Sequence, residues 1–240
     1  MNGDSALHER YDALQARISA ACSRAGRDAG TVRLLAVSKT FPAARVLELA
    51  SLGQRAFGES YLQEALPKIS ACRDERPDFA IEWHFIGPIQ SNKTKAIAER
   101  FDWVQSVDRE KTARRLAEQR PASAEPLNVC LQVNVSGEAT KSGCDPAQAL
   151  GLAGAIAALG RLRLRGVMAI PAPTDDRTLQ RAQFASVRRI YEALVDAGHR
   201  LDTLSIGMSD DLESAIAEGA TMVRVGTALF GSRPRQQPAS

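Results

Sequence analysis

Lys39 is the first residue whose type and place could do chemistry. It directly follows the apolar run LLAVS, so its stem is surrounded by low-polarity side chains while its amine reaches the end of that run. Partial desolvation disfavours the charged ammonium, and a lysine that loses its proton more readily can attack an aldehyde. The competing reading is a lysine that merely ends a strand in solvent. A second group stands near the other end of the chain, in TMVRVGTALFG, where Arg224 precedes Gly226 and Thr227. Glycine lets a phosphate oxygen approach a backbone N–H, and threonine adds a hydroxyl donor. In LSIGMSDDLE, Gly207 and Ser209 can face the same anion. That stretch is also a good helix start with acidic first-turn residues, and on this loop alone capping is favoured over phosphate binding.

Other polar groups have two readings each. His84 sits among apolar neighbours in EWHFIGP, where a core histidine hydrogen-bonded to backbone is preferred over a general base. VNVSGEATKSG either brings Asn134 and Lys141 to a site or is a polar loop. Met168 in MAIPAP either packs on a flat ring or fills the core.

The elements that must position these groups alternate. Leu7, Tyr11, Leu14 and Ile18 mark one face of a helix from Asp4 to about Ala25. Buried strands are then expected at Val32–Val37, Arg55–Phe57, Trp83–Ile86, Trp103–Ser106, Leu127–Val135, Leu162–Ile170, Leu204–Ile206 and Met222–Val225, with helices between them. Such alternation implies parallel strands joined by right-handed crossovers. Eight units in 240 residues favour one α/β domain, a single (β/α)8 TIM barrel, over a doubly wound open sheet, which periodicity alone leaves open. Residues 1–30 form an N-terminal helix and connection packed on the barrel, 31–232 the barrel itself, and 233–240 a flexible tail. In such a barrel reactive groups gather at the C-terminal strand ends, and phosphate sites recur after strands seven and eight.

Composition narrows the class. Thirty-one basic and 28 acidic residues leave a formal charge of +3, with no basic block, so nucleic acid is not an expected partner. The four cysteines are scattered without a C-x-x-C pair, and three histidines accompany them, so neither a zinc site nor a disulfide framework is indicated. No secretory signal or membrane span is read in the chain, and a cytoplasmic protein with reduced cysteines is expected.

Taken in order, VSKT, FGESYLQEA, WHFIGPIQSNK, VNVSGEATKSG, GVMAIP, SIGMSDDLESAI and GATMVRVGTALFG resemble the pyridoxal phosphate homeostasis protein family, from about Val32 to Gly231. The resemblance implies a barrel of PLP fold type III, similar to the N-terminal barrel of alanine racemase, that carries or regulates PLP without an established turnover reaction. It implies that Lys39 forms the Schiff base with the PLP aldehyde, that Ser209, Gly226 and Thr227 hold the phosphate, and that Arg224 faces the pyridine nitrogen. A permanently charged guanidinium there favours an unprotonated ring nitrogen and weakens the ring as an electron sink. Met168 and Ser60 are further expected cofactor contacts. Ser60 is a departure: the family has Asn in G-E-N-Y where this chain has GESY, and serine cannot offer both an amide donor and a carbonyl acceptor.

The resemblance also sets the alternatives. Alanine racemase adds a second domain and a tyrosine acid/base; here nine residues follow Gly231, and Tyr11, Tyr61 and Tyr191 all fall in expected helices. A monomeric PLP carrier that exchanges PLP with apo PLP-dependent enzymes or free amino acids is therefore preferred. A slow PLP-dependent amino-acid racemase is the alternative, and a PLP-free Schiff-base aldolase acting on a sugar phosphate is the third reading.

Overall fold

Short β-branched runs divided by amphipathic helices become eight parallel strands and their crossovers in the computed structural model, which describes residues 3–136 and 142–231. The expected tail at 233–240 and Lys141 lie outside the described residues. In chain order the elements are α1 (Gly3–Arg24), β1 (Arg33–Val37), α2 (Ala43–Ser51), β2 (Ala56–Glu59), α3 (Leu62–Glu75) and β3 (Glu82–Phe85). Then follow α4 (Thr94–Arg100), β4 (Trp103–Val107), α5 (Glu110–Gln119), β5 (Leu127–Gln132), α6 (Ala149–Ala157) and β6 (Leu162–Met168). The chain finishes with α7 (Arg177–Asp196), β7 (Thr203–Ser205), α8 (Leu212–Ala217), β8 (Met222–Val225) and α9 (Thr227–Phe230).

Strands pair in sequence order, and β1 closes on β8 with Leu35 opposite Arg224. That pairing decides between barrel and open sheet, and it brings the first and last strands of the chain side by side. Two expected strands are too long. β5 stops at Gln132, leaving Val133 in a lone bridge to Cys144, and β6 stops at Met168, two residues before a half-exposed Ile170 and Pro171. Apolar side chains continue past each strand end, which is why periodicity alone overran the boundary.

Alternation along each strand sorts the core into two parts. Leu34, Ala36, Val104, Val223 and Val225 face outward into one large cluster shared with the helices, including Val46, Leu49, Leu116 and Phe184. Each fully buried leucine or phenylalanine there contributes about 1.5–3 kcal/mol relative to exposure, so most of the apolar stabilisation lies in this annulus. Among the described residues the barrel interior holds two small apolar clusters, Leu35 with Ala56 and Met222, and Trp103 with Cys130 and Met168. Between them lie the buried polar residues His84, Gln105, Ser205 and Arg224.

Helix α1 buries Leu7, Leu14 and Ile18, as its spacing predicts, and packs on α8 and α9. It therefore braces the two loops that close the barrel. Arg10 Nε donates to the Leu229 carbonyl at 2.8 Å, and Arg17 Nη1 donates to the Ser209 carbonyl at 2.8 Å. Among the described residues no helix is long and apolar enough to cross a membrane, and no cluster of His, Cys, Asp and Glu could hold a metal ion.

Candidate functional site

At the C-terminal end of the strands a cavity of about 230 Å³ opens between the first and last strands. Lys39, Ser60, Ser209, Arg224, Gly226 and Thr227 all line it, with Val37, Ile86, Ile170, Met208 and Asp210. Six positions read from the sequence as site residues, spread from one end of the chain to the other, thus meet because β1 and β8 are neighbours. Met168 does not line it: the side chain is fully buried in the barrel interior against Trp103 and Cys130. Asn134 follows β5, where its Oδ1 accepts from the Ser136 N–H and hydroxyl, and it is not part of the lining.

Lys39 is mounted on a rigid turn. The Ser38 backbone N–H donates to the Gly58 carbonyl at 3.0 Å, and the Ser38 hydroxyl donates to Glu59 at 2.6 Å. Lys68 of α3 donates to the Ser38 carbonyl at 2.8 Å and to the same Glu59 oxygen at 2.6 Å. Burial pushes the Glu59 carboxyl up, opposed by the Lys68 ammonium and the Ser38 hydroxyl. On the other side of Lys39, Thr40 has a φ of +70°, the left-handed region in which a β-branched residue is strained. Its N–H donates to Glu64 at 3.0 Å, which helps hold it there. Strain of this kind, on the order of 1–3 kcal/mol, persists only where the surroundings enforce it, and it gathers at functional sites. Thr40 and Glu64 support the Lys39 turn without lining the cavity, and a threonine in sequence gives no sign of a positive φ.

The opposite rim is made of small residues. Gly207 lies two residues past the end of β7 with a φ of +90°, and a Cβ there would meet the Ala215 Cβ at 2.5 Å, so the position demands glycine on both counts. The turn it makes carries Ser209 toward α9, where the Ser209 hydroxyl accepts from the Ala228 N–H at 3.4 Å. Ser209 does not cap α8. Asp211 is the residue before that helix, and its carboxylate accepts instead from the Met208 N–H at 2.6 Å. Asp211 therefore shapes the turn, while Asp210 and Ser209 line the cavity. Thr227 is the first residue of α9 and is exposed at the rim.

Arg224 forms part of the cavity's inner wall, although it is only 3% exposed. Nη1 donates to the Ser205 carbonyl and hydroxyl, and Nη2 to the Ala169 carbonyl. Burial lowers its pKa to about 10, opposed by Asp211 and Cys130, so it stays protonated at neutral pH. His84 departs from the expected backbone-bonded form. Its two nitrogens meet side chains, Glu82 at 2.6 Å and Gln105 at 2.9 Å, and the ring stacks on Trp103. Tyr61 also departs from expectation: it stands just before α3 rather than within it, exposed, and outside the cavity lining.

The alanine racemase N-terminal domain family matches residues 10–234. A curated relative from Pseudomonas aeruginosa, named pyridoxal phosphate homeostasis protein, is 60% identical over 98% of this chain and 100% of its own length. The chain belongs to the pyridoxal phosphate homeostasis protein family. PipY of Synechococcus elongatus, a family structure solved with PLP bound, superposes with a TM-score of 0.80 at 36% identity, covering 94% of this chain and 100% of that one. Alanine racemase from Corynebacterium glutamicum superposes with a TM-score of 0.66 at 19% identity, covering 95% of this chain but 62% of the racemase, which shows the shared barrel alone.

The cavity fits the group this family's name implies. It has room for one small ring-bearing ligand, and its donor set divides into an amine on one rim, hydroxyls and a glycine on the other, and a buried cation in the wall.

Proposed function

We propose that the protein binds pyridoxal 5'-phosphate at this mouth, holds it reversibly through Lys39, and so regulates intracellular PLP and the amino-acid pools linked to it. The observation that carries this reading is the convergence of Lys39, Arg224, Ser209, Gly226 and Thr227 on one cavity. When bound, PLP supplies an aldehyde that condenses reversibly with a primary amine. The Ser38–Thr40 turn presents the Lys39 amine at the rim. Ser209 and Thr227 offer hydroxyls to the phosphate, and Gly226 leaves its backbone open to close approach. Arg224 faces the ring nitrogen as a fixed cation, which suits holding over demanding proton abstraction. Ser60 takes the place of the family's asparagine as a shorter contact, reaching the ligand directly or through water.

As a single barrel acting as a cytoplasmic monomer, the protein would pass PLP to apo enzymes or free amino acids through the open mouth. The cavity lining offers no tyrosine acid/base opposite Lys39 among the described residues, so a racemase is the less favoured reading. The test is the visible spectrum of purified protein reconstituted with PLP, beside Lys39→Ala. Wild type is expected to show a band that the variant lacks. No band in either protein overturns the cofactor assignment, and inversion of amino acids by loaded wild type but not by Lys39→Ala replaces the carrier with an enzyme. Absence of a visible band together with borohydride trapping that requires added sugar phosphate points to the aldolase reading.

A further inference from the structure

Behind the mouth, a line of buried polar side chains runs through the barrel interior toward its opposite end. Arg224 Nη1 donates to the Ser205 hydroxyl at 2.8 Å, and Ser205 donates to Gln105 Oε1 at 2.7 Å. Gln105 Nε2 lies 2.9 Å from His84 Nδ1 and 3.1 Å from the Met222 sulfur. His84 Nε2 lies 2.6 Å from Glu82, which pairs with Arg33 at 2.7 Å. His84, Gln105, Ser205 and Arg224 are each no more than 3% exposed.

The order of donors in this line is forced from both ends. A guanidinium has no acceptor, so the Ser205 oxygen must receive from Arg224 and pass its own proton onward. That proton requires an acceptor, which places the Gln105 carbonyl toward Ser205 and its amide nitrogen toward His84. The reversed amide would leave the serine proton without that partner and set a carbonyl oxygen against the Met222 sulfur. With the amide donating, His84 Nδ1 must be bare and its proton must sit on Nε2, aimed at a carboxylate that can only accept. A cation at one end and an anion at the other thus impose a single direction on every bond between them.

We propose that Glu82, His84, Gln105 and Ser205 form a one-way hydrogen-bond relay that fixes the Arg224 guanidinium toward the PLP ring, making His84, Gln105 and Ser205 positioning residues for the mouth. The inference rests on the reading of that mouth as the PLP site. Burial holds His84 neutral, which the relay requires, because an imidazolium would set an N–H against the Gln105 amide. The charged groups acting on His84 are Glu82, Arg33 on β1 and Arg165 on β6; facing Arg224 are the Asp211 carboxylate and the titratable Cys130 thiol, which burial pushes up to about 12 and so keeps neutral.

Two measurements test it. In PLP-free protein, nitrogen-15 NMR of the histidine rings, with His84 assigned by loss of its signals in His84→Gln, is expected to show the neutral Nε2–H tautomer at pH 7. Gln105→Glu, which sets a carboxylate against Nδ1, is expected to make His84 an imidazolium at pH 7. The Nδ1–H tautomer or an imidazolium in wild type at pH 7 overturns the relay. In the second arm, Gln105→Leu is expected to weaken PLP binding about five- to tenfold and to shift the pH profile of the visible band, while borohydride still attaches PLP to Lys39 at saturation. Wild-type affinity with an unchanged profile overturns the positioning role. Ser205→Ala breaks the next bond of the line and serves if circular dichroism shows the leucine variant misfolded. If wild type takes up no PLP, the proposed function falls together with the positioning role, while the NMR result still decides the direction of the chain.

Discussion

The two ends of this barrel each carry a cavity lined by cations, and they are built on opposite principles. The one at the N-terminal strand ends is the larger, about 300 Å³, and four arginines line it: Arg73, Arg76, Arg100 and Arg120. Their bonds go largely to the protein itself. Arg76 pairs with Asp78 and lies on the Phe79 ring; Arg100 donates to Ser70; Arg120 donates to the carbonyls of Ala98, Phe101 and Glu125. Arg73 and Arg100 occupy the last turns of α3 and α4, where a cation offsets the helix dipole. The mouth has a smaller cavity and fewer cations, yet there the small residues Ser209, Gly226 and Thr227 clear space beside a lysine held on a strained turn, and Gly207 makes the bend that leads to Ser209. The mouth offers hydroxyls and glycine beside Lys39, whereas the arginines at the other end are bonded largely to the protein's own acceptors.

That contrast can be broken most severely at Gly207. Gly207→Val combines a left-handed φ with a clash at Ala215, and each effect costs about 1–3 kcal/mol. The melting temperature should fall by about 4–24 °C, and a value within two degrees of wild type would show that the loop relaxes. A second prediction concerns acid. Burial would raise the Glu82 carboxyl, but the hydrogen bond to His84 and the Arg33 guanidinium hold it down to about 2. A depressed acid stabilises the fold above its unfolded pKa and loses that contribution as pH falls through the folded one. Denaturant titrations should therefore show stability dropping between about pH 4.5 and 2, with a shallower drop in Glu82→Gln.

Smaller effects separate the ends more finely. Arg17→Ala removes the brace on the Ser209 carbonyl and the pair with Glu213. About 1 kcal/mol is at stake, and PLP affinity should fall roughly fivefold by equilibrium titration. Arg73→Ala, in the other cavity, should leave that affinity within about twofold of wild type. An equal loss in both variants would erase the distinction between the two cavities.

Much of the mouth was legible in the sequence because its signals are local. A lysine directly after an apolar strand and a glycine–threonine pair after another can be recognised without knowing what lies across from them. Arg17 and Arg10 could not be recognised so, since their partners are carbonyls about two hundred positions away whose identity no side chain reveals. The same holds for His84: Glu82 is two residues away on the same strand, but Gln105 reaches it only through barrel closure. Met168 had two fair readings, ring contact or barrel filling, and its burial against Trp103 and Cys130 is the environment of the second. Tyr61 shows the limit of pattern at an element's edge, where one residue separates a helix from the loop that precedes it.

The most direct measurement is peptide mass mapping of the chain after incubation with one equivalent of PLP and reduction with borohydride. Capture at the mouth predicts that the pyridoxyl phosphate mass is found on the peptide carrying Lys39. Recovery of the label chiefly on other lysines, with Lys39 unmodified, would contradict it.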